Sequence, residues 1–194
     1  MRFFYILTYI ILWLPCHVLY PMIVTGRANI PAGACVICAN HSNYIDPLLL
    51  IYAFGLPCFL HCMSKKENME KPVIGWLYKM CGAFGVNREE QDIAAARTTL
   101  KLLKEGKKVV IFPEGTRTPV NDAEAGKTGA VRFAAKCGVP IVPVFITRGK
   151  KVFHLVRIRI GEHFEPQCRT QEEYVTETRS LLEKIFALGA PYGN

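Results

Sequence analysis

The sequence predicts an α/β fold, a mostly parallel central sheet flanked by helices, with an N-terminal hydrophobic membrane anchor in front of it. Three observations predict this. Short apolar runs with β-branched content alternate with helical patterns, the order that builds layered parallel sheets. No repeat, low-complexity tract or flexible linker interrupts residues 27–194, so they read as one folded unit. From Phe3 to Gly26 there is no Asp, Glu, Lys or Arg, while Arg2 and Arg27 bracket the stretch.

The anchor, residues 1–26, comes first. An uncharged run of this length suffices to cross a bilayer, which takes about 20 apolar residues. Pro15 and Pro21 break its helical pattern, and Trp13, Tyr5, Tyr9 and Tyr20 favour the headgroup zone. An embedded or re-entrant segment therefore fits better than a clean span. A cleaved signal peptide lacks its small-residue cleavage site, and a buried core helix would be unusually long. The expected location is the cell membrane, with the following domain facing the cytoplasm.

The strands follow as 34–39 (ACVICA), 57–62 (PCFLHC), 107–112 (KKVVIF), 140–146 (PIVPVFI) and 152–160 (VFHLVRIRI). Helical patterns cover 47–54, 71–80, 90–104, 127–137 and 171–188. In the third of these, Ile93, Ala96, Leu100 and Leu103 share one face, and Gly106 suits its end. Pro140 and Pro143 mark their strand as an edge or irregular one, a wall without chemistry of its own.

Composition narrows the partners. Of the 194 residues 51% are hydrophobic, which excludes a disordered chain, and the net charge is +8. The basic residues are scattered in pairs such as Lys65/Lys66 and Lys150/Lys151, with no nucleic-acid-binding signature, so the charge suits anionic lipid or a phosphorylated substrate. Eight cysteines occur. Cys35 and Cys38 point to opposite faces of a strand and cannot grip one metal together. Cys58, His61 and Cys62 imitate zinc spacing but lack a second cluster. The cysteines read as reduced thiols, with no metal.

In an α/β sheet, sites gather at the carboxyl ends of strands. His41 emerges there after strand 34–39, and Asp46-Pro47 makes a helix start with Asp as N-cap. One tight turn separates the two, so a carboxylate can reach an imidazole and form a general base; the plain alternative is a structural turn. Gly82 to Arg88 is a glycine-rich stretch ending in an arginine, whose planar fork suits phosphate. Phe112-Pro113-Glu114-Gly115-Thr116-Arg117 follows another strand, with Arg117 suited to phosphate and Glu114 to orienting a hydroxyl or the arginine. Gly126-Lys127-Thr128 is not a P-loop, because Asn121 stands where that motif needs glycine.

Together these segments resemble the glycerolipid acyltransferase family that includes the 1-acyl-glycerol-3-phosphate acyltransferases. His41 with four residues before Asp46 matches its HX4D block. Phe84 to Arg88 resembles the second block, Phe112 to Arg117 the third and Val139 to Pro143 the fourth. Ser64 to Glu67 and Pro72 to Trp76 resemble the segment between the first two. The likeness covers roughly residues 24–146, and four blocks in order are far more specific than one. Gly85 departs from the family's larger apolar residue, and the N-terminal region is short.

The resemblance implies a catalytic domain over 27–194 and an acyl transfer. The donor would be acyl-CoA or acyl carrier protein, a co-substrate rather than a cofactor. The acceptor would be the sn-2 hydroxyl of lysophosphatidic acid, giving phosphatidic acid in phospholipid biosynthesis. It casts His41 and Asp46 as catalytic, and Arg88, Glu114, Gly115, Thr116, Arg117, Lys65 and Lys127 as substrate-binding. Membrane phospholipid is the expected partner, and nucleic acid is not. The rivals are another lysophospholipid or glycerol-3-phosphate as acceptor, a lipid hydrolase, and a non-catalytic module that binds anionic lipid.

Overall fold

A computed structural model describes residues 2–80, 82–86 and 92–190. Their strands form one sheet: β1 Met22–Thr25, β2 Cys35–Ala39, β3 Leu60–Lys65, β4 Phe84–Val86, β5 Lys108–Ile111, β6 Ile141–Ile146 and β7 Val156–Ile160. The order across the sheet is β1-β7-β6-β2-β5-β3-β4. Every neighbouring pair is parallel except β6 and β7, which run antiparallel with Val144 opposite Ile160. The helices are α1 Arg2–Leu19, α2 Asp46–Phe54, α3 Lys66–Glu70, α4 Pro72–Met80, α5 Ile93–Lys104, α6 Gly129–Cys137 and α7 Gln171–Gly189.

Alternation along the strands feeds two cores, one on each face. Cys35, Ile37 and Ala39 of β2 join Val142, Val144, Ile158 and the buried residues of α2 on one side. Val36 and Cys38 join Ala130, Val131, Ala134, Leu181, Leu182 and Ile185 on the other, beneath α6 and α7. The central strand β2 is buried at every position, as a strand covered on both faces must be.

The membrane anchor is not found. Among the described residues no helix is long and apolar enough to cross a membrane, which corrects both the anchor over 1–26 and the placement at the cell membrane. The 18 residues of α1 extend about 27 Å, short of the ~30 Å hydrocarbon core. Pro15 lies inside the helix. One side of α1 is committed to the protein: Tyr5 and Cys16 are buried, and Tyr9 and Leu12 pack on the first core. The Tyr52 hydroxyl donates to the Tyr9 carbonyl at 3.0 Å, and the rings of Tyr5 and Phe59 lie 4.3 Å apart. The chain then enters the sheet as β1, parallel to β7. It leaves β1 at Gly26, where φ is +81 and a Cβ would meet the Ile160 carbonyl oxygen at 1.9 Å, so only glycine fits.

Two further expectations change. The strand expected at 57–62 runs from Leu60 to Lys65. The strand carrying Pro143 is interior, between β7 and β2. Pro143 keeps half of its pairing there: Gly161 donates its N–H to the Pro143 carbonyl at 2.8 Å, while the ring supplies no donor.

Candidate active site

The carboxyl ends of β2, β5 and β6 lie side by side, and the turns that follow them interlock. Asn40, next after β2, clasps the end of β6: its Oδ1 accepts the Ile146 N–H at 2.7 Å and its Nδ2 donates to the Ile146 carbonyl at 2.8 Å. His41 comes next, with 5% of its surface exposed. Its ring stacks on Phe112, centroids 4.0 Å apart and planes 18° apart. Its backbone carbonyl accepts the N–H of Thr118, after β5, at 2.9 Å.

Asp46 is fully buried and opens α2, but it does not cap that helix as expected. Its Oδ2 instead faces back into the turn, 2.9 Å from His41 Nδ1, and accepts the Ser42 and Asn43 N–H groups at 2.8 Å each. Its Oδ1 lies 2.8 Å from Lys150 Nζ, and both side chains are wholly buried. Burial pushes the Asp46 carboxyl upward; the bond to His41 and the charge of Lys150 outweigh that and hold it below its usual range. An ionised carboxylate only accepts, so the proton sits on Nδ1 of His41 and the basic lone pair on Nε2.

Glu114 approaches from the turn after β5. One oxygen accepts the His41 backbone N–H at 2.5 Å, and the other is paired with Arg148. Burial raises the Glu114 carboxyl above its ordinary value despite both partners. Arg148 also donates to Asn121 Oδ1 at 2.7 Å and to the Thr118 carbonyl at 2.5 Å. Lys150, besides meeting Asp46, donates to Ser42 Oγ at 2.8 Å and to the Thr147 carbonyl at 2.6 Å. Burial pulls its ammonium below the usual lysine value, with the Asp46 carboxylate opposing.

His41 lines a cavity of ≈ 480 Å3 with Tyr44, Ile45, Leu48, Phe112 and Arg117. Arg117 lies over the Tyr44 ring, 3.7 Å from its centroid, and donates to the Tyr44 hydroxyl at 3.0 Å. A second cavity, ≈ 550 Å3, shares Met63 and Phe112 with the first and is lined by Ile93, Ala96, Phe133, Gly115 and Lys127. Lys127 donates its N–H to the Pro113 carbonyl at 2.8 Å and lies over Gly115, where φ is +71.

Among the residues expected in the site, His41, Asp46, Glu114 and Arg117 therefore meet around one turn, and Gly115 and Lys127 line the neighbouring cavity. Thr116 is exposed in the same turn as Arg117. Lys65 ends β3 and pairs with Glu67 at 3.0 Å, lining neither cavity. Arg88 lies outside the described residues. Sequence reasoning missed Asn40, Arg148 and Lys150. The signal for the last two was present: Thr147 to Lys150 follows β6 at its carboxyl end, where the strand-end rule applies as it does after β2 and β5.

Comparison with known proteins bears on this geometry. Residues 21–147 match the family described as Acyltransferase. The 1-acyl-sn-glycerol-3-phosphate acyltransferase of Bacillus subtilis is 36% identical over 85% of this chain and 86% of its own length. That of Borreliella burgdorferi is 34% identical over 68% of the chain, which spans only 53% of that protein. The crystal structure of the 1-acyl-sn-glycerophosphate acyltransferase PlsC from Thermotoga maritima covers the whole chain with a TM-score of 0.69 at 24% identity, a likeness of fold. On the family match and the near full-length likeness to the Bacillus protein, the chain belongs to the 1-acyl-sn-glycerol-3-phosphate acyltransferase family.

Proposed function

We propose that this chain moves a fatty acyl group from a thioester, acyl-CoA or acyl carrier protein, to the sn-2 hydroxyl of lysophosphatidic acid. The product is phosphatidic acid, and the chemistry resides in residues 27–194. The observation that carries the proposal is the His41–Asp46 pair, 2.9 Å apart, on the wall of a cavity that also holds Arg117. The names of the Bacillus and Borreliella relatives support the acceptor.

Nε2 of His41 takes the proton of the acceptor hydroxyl as its oxygen attacks the thioester carbonyl. Asp46 fixes the tautomer and stabilises the imidazolium. The tetrahedral intermediate then collapses with loss of the thiolate. A thiol of pKa about 8.5 departs more readily than an alkoxide, and it recovers the proton from the imidazolium. No acyl-enzyme is needed. Burial pushes the Cys35 thiol up to about 11 and the Cys38 thiol up further, so neither supplies a thiolate at neutral pH. Arg117 shares its cavity with His41 and would hold the acceptor's phosphate, and Lys127, Lys65 and Arg88 are further candidates. Glu114, with Gly115 and Thr116, shapes the turn that presents Arg117.

The test offers the purified chain labelled acyl-CoA and acyl carrier protein in turn. Lysophosphatidic acid, glycerol-3-phosphate and a neutral-headgroup lysolipid serve as acceptors. Label should pass to lysophosphatidic acid. No ester product with any acceptor, or release of free fatty acid alone, ends the proposal.

A further inference from the structure

The buried Lys150–Asp46 pair has no part in the mechanism above. A lysine and a carboxylate both removed from water are costly to keep, and this lysine sits on the oxygen of Asp46 that His41 does not use. Its other partners, Ser42 Oγ and the Thr147 carbonyl, hold it there from two segments, so the ammonium is fixed rather than mobile. We propose that Lys150 is a positioning residue that acts through Asp46, sharing the carboxylate's charge so that His41 is kept neutral and able to act as the base. This rests on His41 being the base.

The Asp46 carboxylate is shared between His41 and Lys150. A carboxylate given wholly to an imidazole binds the imidazolium tightly, and a base that is already protonated cannot take a substrate proton. A fixed cation on the far oxygen weakens that hold without loosening the geometry, because Oδ2 still accepts from His41, Ser42 and Asn43. Among the described residues, the other charges near this carboxylate do not replace it. Glu114 is an anion already paired with Arg148, and it holds His41 by the backbone N–H. Arg117 is exposed, over Tyr44. Whichever member of the His41–Asp46 pair carries the proton, loss of the neighbouring cation makes the pair bind it more tightly.

The sign follows. The rate falls as pH drops through the pKa of the base, and that pKa rises when Lys150 is neutralised. In Lys150→Met the acid limb of kcat/KM should move to higher pH, by on the order of one unit. Lys150→Arg should leave the limb within a few tenths of a unit of the wild type. A merely structural lysine would lower kcat in both variants and move neither limb, and that outcome overturns the proposal.

Should Lys150→Met fail to fold, the wild-type chain carries the test, by titration of ring-labelled His41 followed by NMR. A ring neutral at pH 7 beside an ionised Asp46 is expected, and one protonated at pH 7 overturns the inference. The parent reading fails separately. Turnover surviving in His41→Ala would sink the base itself, whereas a dead His41→Ala with an unmoved limb in Lys150→Met sinks only the role of Lys150.

Discussion

The Glu114 carboxylate accepts the backbone N–H of His41 at 2.5 Å, so the turn after β5 holds the turn after β2 by its main chain. A side chain spent on another residue's backbone fixes position rather than chemistry. It also explains why Glu114 and Arg148, both almost wholly buried, pair beneath the site.

Breaking that pair should be costly. Arg148→Ala leaves Glu114 buried without its cation and strips the Thr118 carbonyl and Asn121 of a donor. A loss of roughly 3 kcal/mol in unfolding free energy is expected, measured by urea denaturation. A change under 0.5 kcal/mol would show that the pair contributes little.

Removing the base should remove turnover and spare the fold. His41→Ala is expected to lower kcat/KM by at least about 100-fold, with the folded far-UV and near-UV spectra retained. The Phe112 ring loses its stacking partner, so a fall in Tm of a few degrees accompanies it.

Arg117 lies toward solvent at the cavity wall, so its loss should weaken acceptor binding more than chemistry. Arg117→Ala is expected to raise KM for lysophosphatidic acid by about 10-fold with kcat within a factor of three. An equal fall in kcat and kcat/KM would instead make it a group that acts only in the transition state.

Asp46 also links stability to pH. Its folded-state carboxyl is held below its ordinary value of 3.8, so it stabilises the fold above that value. That contribution is lost as pH falls below 3.8 and the group protonates. Glu114, raised by burial, runs the other way: it is best tolerated below its ordinary 4.5, and its penalty appears as pH rises through the higher folded-state value. In Asp46→Asn the decline of stability below pH 4 should be shallower than in the wild type, as read by acid titration of near-UV circular dichroism. An unchanged slope would deny Asp46 this part.

Gly26→Ala places a methyl carbon 1.9 Å from the Ile160 carbonyl oxygen, on backbone with positive φ. The β1–β7 pairing should loosen, with a stability loss of more than about 2 kcal/mol. Hydrogen exchange should quicken first at Met22 to Thr25.

Much of the site was legible because its chemistry lies within short turns. His41 and Asp46 are five residues apart, and the turn from Pro113 to Arg117 reads directly after its strand. For Arg148 and Lys150 the strand-end rule marks the segment but not the pairing, because their partners lie 34 residues back at Glu114 and on the first turn at Asp46. Only the sheet order, with β6 beside β2, brings them together. The N-terminus misled for another reason. An uncharged apolar run sets no helix length, and the stretch from Phe3 to Gly26 is divided between α1, which ends at Leu19, and β1, which begins at Met22. The short strands β1 and β4 carry too few residues to show a period.

The family match ends at residue 147, one position before Arg148. A protein engineer who grafts the recognised motifs into a chimera and trims at that border would transplant the acids and leave their counter-ions behind. Any such hybrid should be cut beyond β7, so that the return segment 147–155 travels with the motifs it neutralises.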